Sequence, residues 1–138
     1  MKMVLYIDAE AKLEKMASKF KLLKDEGIDV IQVTRLKDVM PTIQKLKGSI
    51  GLIILDIVMP PDDYYTLDET NGGMTTGLKL LGSIRNTCRD VPIIIVSMKR
   101  KKQVLEKDLS KYNILGYREK PISASVLLRA IKQALAAS

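Results

Sequence analysis

Short apolar runs alternate along this chain with polar stretches whose few apolar residues recur at helical spacing. The clearest run is Gly51 to Pro61, GLIILDIVMPP. Leu52 to Leu55 are apolar without alternation, the pattern of a strand buried on both faces. Pro60 and Pro61 cannot continue a central strand, so the chain turns there and leaves Asp56 at the strand's carboxyl end. Four further runs read as strands: Met3 to Ile7, Ile28 to Thr34, Val91 to Ser97 and Ile114 to Arg118.

The intervening stretches predict helices. Leu13, Met16, Ala17, Phe20 and Leu23 share one face, with Gly27 as the stop. Asp38 is positioned to cap a second helix carrying Met40, Ile43 and Leu46, with Pro41 in its first turn and Gly48 closing it. Thr75 or Thr76 caps a third, from about Gly77 to Arg85, with Leu78, Leu81 and Ile84 inward. Lys99 to Leu109 reads as a basic helix anchored by Val104, Leu105 and Leu109. Ser123 caps the last, which carries Ala124, Leu127, Leu128, Ile131 and Leu135. Strands alternating with helices predict a parallel sheet covered on both sides. Only the segment from Pro61 to Thr76, PDDYYTLDETNGGMTT after the first proline, lacks a period, and it reads as a long functional or mobile loop.

Composition narrows the class. With 138 residues, 46% hydrophobic and 28% charged, the chain is expected to form one soluble domain over residues 1–138. The N-terminal apolar run is too short for a signal peptide, and no stretch reaches the length of a bilayer span, so a cytoplasmic location without membrane attachment is expected. A single cysteine, Cys88, makes no internal disulfide. The net charge of +7 raises nucleic acid as a partner. The lysines are scattered over predicted helix faces, however, and the KRKK run at 99–102 reads as a solvated helix start. With no aromatic RNA-binding signature and no helix-turn-helix pattern, direct nucleic-acid binding is not expected.

The chemistry lies at the strand ends, which carry Asp8 and Glu10, Asp56, Ser97, and Lys120 before Pro121. In a doubly wound sheet such residues converge on one edge. Acids from adjacent strands suit Mg²⁺. A lysine and a hydroxyl facing them suit a phosphoryl group, with Asp56 as the nucleophile that forms an acyl phosphate.

The ordered segments IDAE, LDIVMP, VPIIIVS and GYREKP resemble the receiver domain of two-component response regulators over essentially the whole chain. The resemblance implies a flavodoxin-like five-stranded parallel sheet of order 2-1-3-4-5. It also implies phosphorylation of Asp56 by a histidine kinase or a histidine phosphotransfer protein. Ser97 matches the hydroxyl that meets the phosphoryl group, Lys120 the lysine of the Lys-Pro pair, and Tyr117 the aromatic switch residue. Mg²⁺ would be held by Asp8, Asp56 and the backbone carbonyl of Val58. The recognition face for a downstream partner would span 99–137, on a monomer or weak dimer. Such a domain acts only on its own carboxylate and is no enzyme toward other substrates.

Two departures from the family pattern stand out. Ala9 replaces the second of two adjacent acids that the family places after the first strand; Glu10, Asp62, Asp63, Asp68 and Glu69 are the possible substitutes. The 61–76 segment is much longer than usual and is expected to hang over the phosphorylation edge. Ala9 motivates an alternative, a pseudo-receiver that works without phosphate. A flavin carrier is disfavoured by the acidic first turn, and an aspartate-nucleophile phosphatase by Val58, where that pattern wants a second acid.

Overall fold

The structure, a computed structural model, describes residues 3–10, 14–62, 64–104 and 106–137, with nothing stated of the side chains of Glu14, Lys15 and Ala137. Leu13 and Leu105, expected as apolar anchors, and the loop acid Asp63 lie outside the described residues. The strands are β1 (Met3–Ile7), β2 (Val30–Val33), β3 (Ile50–Leu55), β4 (Ile93–Ser97) and β5 (Gly116–Glu119). The helices are α1 (Glu14–Asp25), α2 (Val39–Leu46), α3 (Thr76–Thr87), α4 (Glu106–Ser110) and α5 (Ala124–Ala137). All strand pairs are parallel, in the order β2-β1-β3-β4-β5, which is the expected doubly wound, flavodoxin-like sheet.

Successive strand side chains point to opposite faces, and both faces are covered. Leu5, Ile7, Ile53, Leu55, Ile93 and Ile95 pack on one side with Val39 and Ile43 of α2, Leu80, Leu81 and Ile84 of α3, and Leu109 of α4. Val4, Tyr6, Leu52, Ile54, Ile94 and Val96 pack on the other with Met16, Phe20 and Leu23 of α1 and Leu127 and Ile131 of α5. All six residues of β3 are buried, as a central strand with two covered faces requires.

Some local expectations give way. Asp38 occupies the position before α2, but its side chain makes no capping bond; instead the Thr42 hydroxyl donates to the Asp38 carbonyl at 2.6 Å. The 99–109 stretch is not one helix. A 3-10 turn at Lys101–Gln103 is followed by Val104 in extended conformation, and α4 begins only at Glu106. Basic charge at a helix start opposes the helix dipole. Here Glu119 of β5 supplies the missing negative group: it accepts the Lys101 N–H at 3.1 Å and pairs with Arg100 at 3.3 Å. Ser123 does cap α5, its hydroxyl accepting the Val126 N–H at 3.3 Å.

At the amino edge of the sheet, Arg85 of α3 holds two connections together. Its guanidinium donates to the carbonyls of Cys88 and Val91 at 3.0 and 2.6 Å, and to those of Tyr112 and Asn113 at 2.7 and 3.2 Å. Cys88 is buried beside it, and burial pushes its thiol pKa up.

Candidate functional site

Beyond the regular strands, parallel pairing continues for one more residue and sets the acids side by side. The Asp8 N–H donates to Val33 O and the Asp56 N–H to Ile7 O, while the Lys120 N–H donates to Ser97 O. Four positions far apart in sequence thus meet at the carboxyl rim. Asp8 is 1% exposed, Asp56 4% and Ser97 0%. Carboxylates so buried require a cation and hydrogen-bond donors.

Both are present. The Lys120 ammonium lies 2.7 Å from Asp8 Oδ2 and 2.9 Å from Asp56 Oδ2, bridging the two acids. Each remaining oxygen accepts a backbone N–H: Asp8 Oδ1 from Glu10 at 2.8 Å, Asp56 Oδ1 from Val58 at 2.9 Å. Burial lowers the affinity of Lys120 for its proton, but the bonds to Asp8 and Asp56 outweigh it, and its pKa is raised. Burial raises that of Asp8, against the lowering effect of Lys120 and the Glu10 N–H. Glu10 stands farther out, 3.7 Å from Lys120.

Ser97 and Tyr117 both bond the backbone of Lys99, on the two peptide groups that flank its Cα. The Ser97 hydroxyl accepts the Lys99 N–H at 3.2 Å, and the Tyr117 hydroxyl donates a short hydrogen bond to the Lys99 carbonyl. Tyr117 is half-buried against the core, and burial, with Glu119 and Asp56 nearby, pushes its phenol up to about 12. The side chain anticipated as a switch is therefore tied to the same residue's backbone, Lys99, as the hydroxyl anticipated to move.

The turn after β3 rests on α3. The Gly77 N–H donates to Ile57 O at 2.8 Å, and a Cβ on Gly77 would lie 2.3 Å from the Asp56 carbonyl oxygen. Only glycine allows this approach. Thr76, fully buried, does not serve as a solvent-side cap; its hydroxyl donates to Met59 O and, at 3.2 Å, to Gly73 O. Nothing in the sequence alone marks Thr76 and Gly77 as supports of the Asp56 turn, because their partners belong to another element.

The 62–75 segment satisfies itself. Thr66 and Glu69 form a reciprocal box, the Thr66 N–H donating to Glu69 Oε1 at 2.8 Å and the Glu69 N–H to the Thr66 hydroxyl at 3.1 Å. The Thr70 hydroxyl, fully buried, donates to Thr66 O and accepts the Gly73 N–H. Outward ties run along α3, from Glu69 to Lys79 at 3.7 Å and from Tyr65 to Ser83. The described residues of the segment are thus tied to α3 and, through the Met59 N–H donating to Gly73 O at 3.1 Å, to the turn after β3.

Two buried carboxylates meet the minimum for Mg²⁺, which takes one or two protein acids and keeps waters. The Val58 carbonyl and Glu10 are the other oxygens in the neighbourhood. Among the described residues, no group of three acids stands ready to hold a metal, so Asp62, Asp68 and Glu69 do not replace the acid missing at Ala9. The donor set fits a weakly held Mg²⁺.

Residues 4–132 match the family described as the response regulator receiver domain. No curated protein matches the chain. Solved structures share its fold. A CheY-like receiver domain protein from Methanospirillum hungatei superposes with a TM-score of 0.75 at 22% identity, over 99% of this chain and 95% of that one. The Vibrio cholerae chemotaxis protein CheY4 gives 0.72 at 21%, over 98% and 99%. The Thermotoga maritima response regulator TrrA, solved with Mg²⁺ and BeF, gives 0.69 at 24%, over 98% and 100%. No helix among the described residues is long and apolar enough to cross a membrane.

Proposed function

Since this chain belongs to the response regulator receiver domain family, we propose that Asp56 accepts a phosphoryl group from a histidine kinase or a histidine phosphotransfer protein. The observation that carries this reading is the partly buried Lys120 ammonium, within 2.9 Å of both Asp8 and Asp56. An oxygen of Asp56 attacks phosphorus, the bond to the donor imidazole breaks, and an acyl phosphate forms. Lys120 and the Val58 N–H stand where they can neutralise and bond the added oxygens. Ser97 turns its hydroxyl to the phosphoryl group, giving up the Lys99 N–H, and Tyr117 follows because it holds the carbonyl of that same residue. The 3-10 turn, α4, β5 and α5 then present an altered surface to a downstream protein. Asp8, Asp56 and the Val58 carbonyl, with Glu10 beyond them, would hold Mg²⁺, which when bound neutralises phosphoryl charge. The chemistry is confined to the protein's own carboxylate.

Incubation with a small phosphodonor and Mg²⁺ is expected to add the mass of one phosphoryl group to the intact protein and none to Asp56→Asn. Equal labelling of both proteins, or of neither, would count against the reading.

Ala9 and the absence of a three-acid cluster among the described residues favour a second reading, a receiver fold that signals without phosphate. Ala9→Asp is expected to tighten Mg²⁺ binding by roughly tenfold, about 1.4 kcal/mol. A wild type that takes neither Mg²⁺ nor phosphoryl, beside an Ala9→Asp protein that takes both, would establish the second reading.

A further inference from the structure

Next to the acids, on the other side of Lys120, lies a cleft of about 220 Å³ between β1, α1 and the turn into α5. Met16, Met98 and Ile122 give it apolar walls, and Tyr6, Lys19 and Lys120 also line it. We propose that this cleft binds a compact organic anion, an aryl or branched-alkyl carboxylate, in the unphosphorylated protein.

Three observations specify that chemistry. The first is Tyr6, which is 1% exposed and whose buried hydroxyl has no hydrogen-bond partner among the described residues. An unmet buried hydroxyl costs free energy that an acceptor on a ligand would recover. The second is charge. Lys19 is half-buried at the cleft and makes no ion pair among the described residues, whereas the acid at the rim, Glu10, already faces Lys120. Lys120 is already matched by Asp8, Asp56 and Glu10, so the cation left at the cleft without an acid among the described residues is Lys19, and a ligand's negative group would meet it there. The third is size and surface. The volume falls below the roughly 300 Å³ of pockets for drug-sized ligands. Two methionines give walls that adapt to a small apolar body.

Lys120 belongs to this wall and to the bridge between Asp8 and Asp56. Occupancy of the cleft and the state of Asp56 therefore act on one ammonium group, and any influence between them is reciprocal.

The test uses methyl-labelled methionine in the full chain and needs no phosphodonor, so it stands apart from the phosphoacceptor reading. Phenylacetate is the probe, with 2-phenylethanol as its neutral counterpart. Saturable shifts of the Met16 and Met98 methyl signals are expected, with a dissociation constant of about 1 mM. Phenylethanol is expected to bind about tenfold more weakly, and Lys19→Gln to erase that preference. Tyr6→Phe should weaken phenylacetate several-fold while leaving the folded spectrum intact. Absence of saturable shifts, equal binding of acid and alcohol, or undiminished affinity in both variants would overturn the proposal.

Discussion

The rim holding Asp8, Asp56 and Lys120 and the segment from 62 to 75 that follows it are built on opposite plans. At the rim the charge-neutralising bonds join residues distant in sequence, Lys120 reaching Asp8 and Asp56 across 112 and 64 positions. In the segment the bonds are local, Thr66 with Glu69 and Thr70 with Thr66 and Gly73. The counter-charge of a buried carboxylate cannot come from near neighbours on one strand, since those point to the other face or are apolar. A turn-rich loop can meet its own polar groups within one or two turns. The first plan makes the acids depend on the whole sheet, and the second makes the long segment nearly autonomous.

Removing the shared cation breaks this contrast most severely. Lys120→Met leaves two buried carboxylates without their counter-charge and is expected to cost about 3 kcal/mol near neutral pH. The deficit should shrink on acidification. Burial already holds Asp8 above its ordinary 3.8 in the folded protein, so the folded state takes up its proton first and gains stability as pH falls through that folded value. Urea unfolding at two pH values checks both size and sign; an equal deficit at both would contradict the assignment.

Gly77→Ala probes the joint between the two plans. Its methyl would meet the Asp56 carbonyl oxygen at 2.3 Å and the Ile57 Cα at 2.6 Å, both backbone atoms that yield only by moving the turn. A loss of about 2 kcal/mol is expected, with a fall in phosphoryl uptake by Asp56. Neutral behaviour in both measurements would show that α3 does not support the turn.

The gentlest change sharpens the contrast. Thr66→Ala removes one half of the reciprocal box and is expected to cost about 1 kcal/mol. Phosphoryl uptake, read by intact mass, should stay at the wild-type level because no bond of the box reaches the acids. A parallel loss of uptake would mean the segment is coupled to the rim after all.

The same division explains what the amino-acid order reveals. Strands β1, β3 and β4 are legible because a doubly covered sheet imposes unbroken apolar runs, and Asp8, Asp56 and Ser97 are legible because each ends such a run. Lys120 is legible from its place before Pro121. The 99–109 stretch misleads because its break depends on Glu119, ten or more positions away on another strand. Leu78 is only partly buried and Leu80 fully so, since the contact face of α3 is set by α2 and the sheet rather than by period alone. Thr76 and Gly77 escape notice for a related reason: small residues at a helix start look ordinary until the backbone they touch is known.

Arg85 limits where this molecule can change shape. With carbonyls from both the α3–β4 and α4–β5 connections fastened to one guanidinium, the far end of the sheet behaves as a fixed pivot. A disturbance at Ser97 or Tyr117 then spends itself as a swing of the near ends of β4 and β5 instead of a sliding of whole elements.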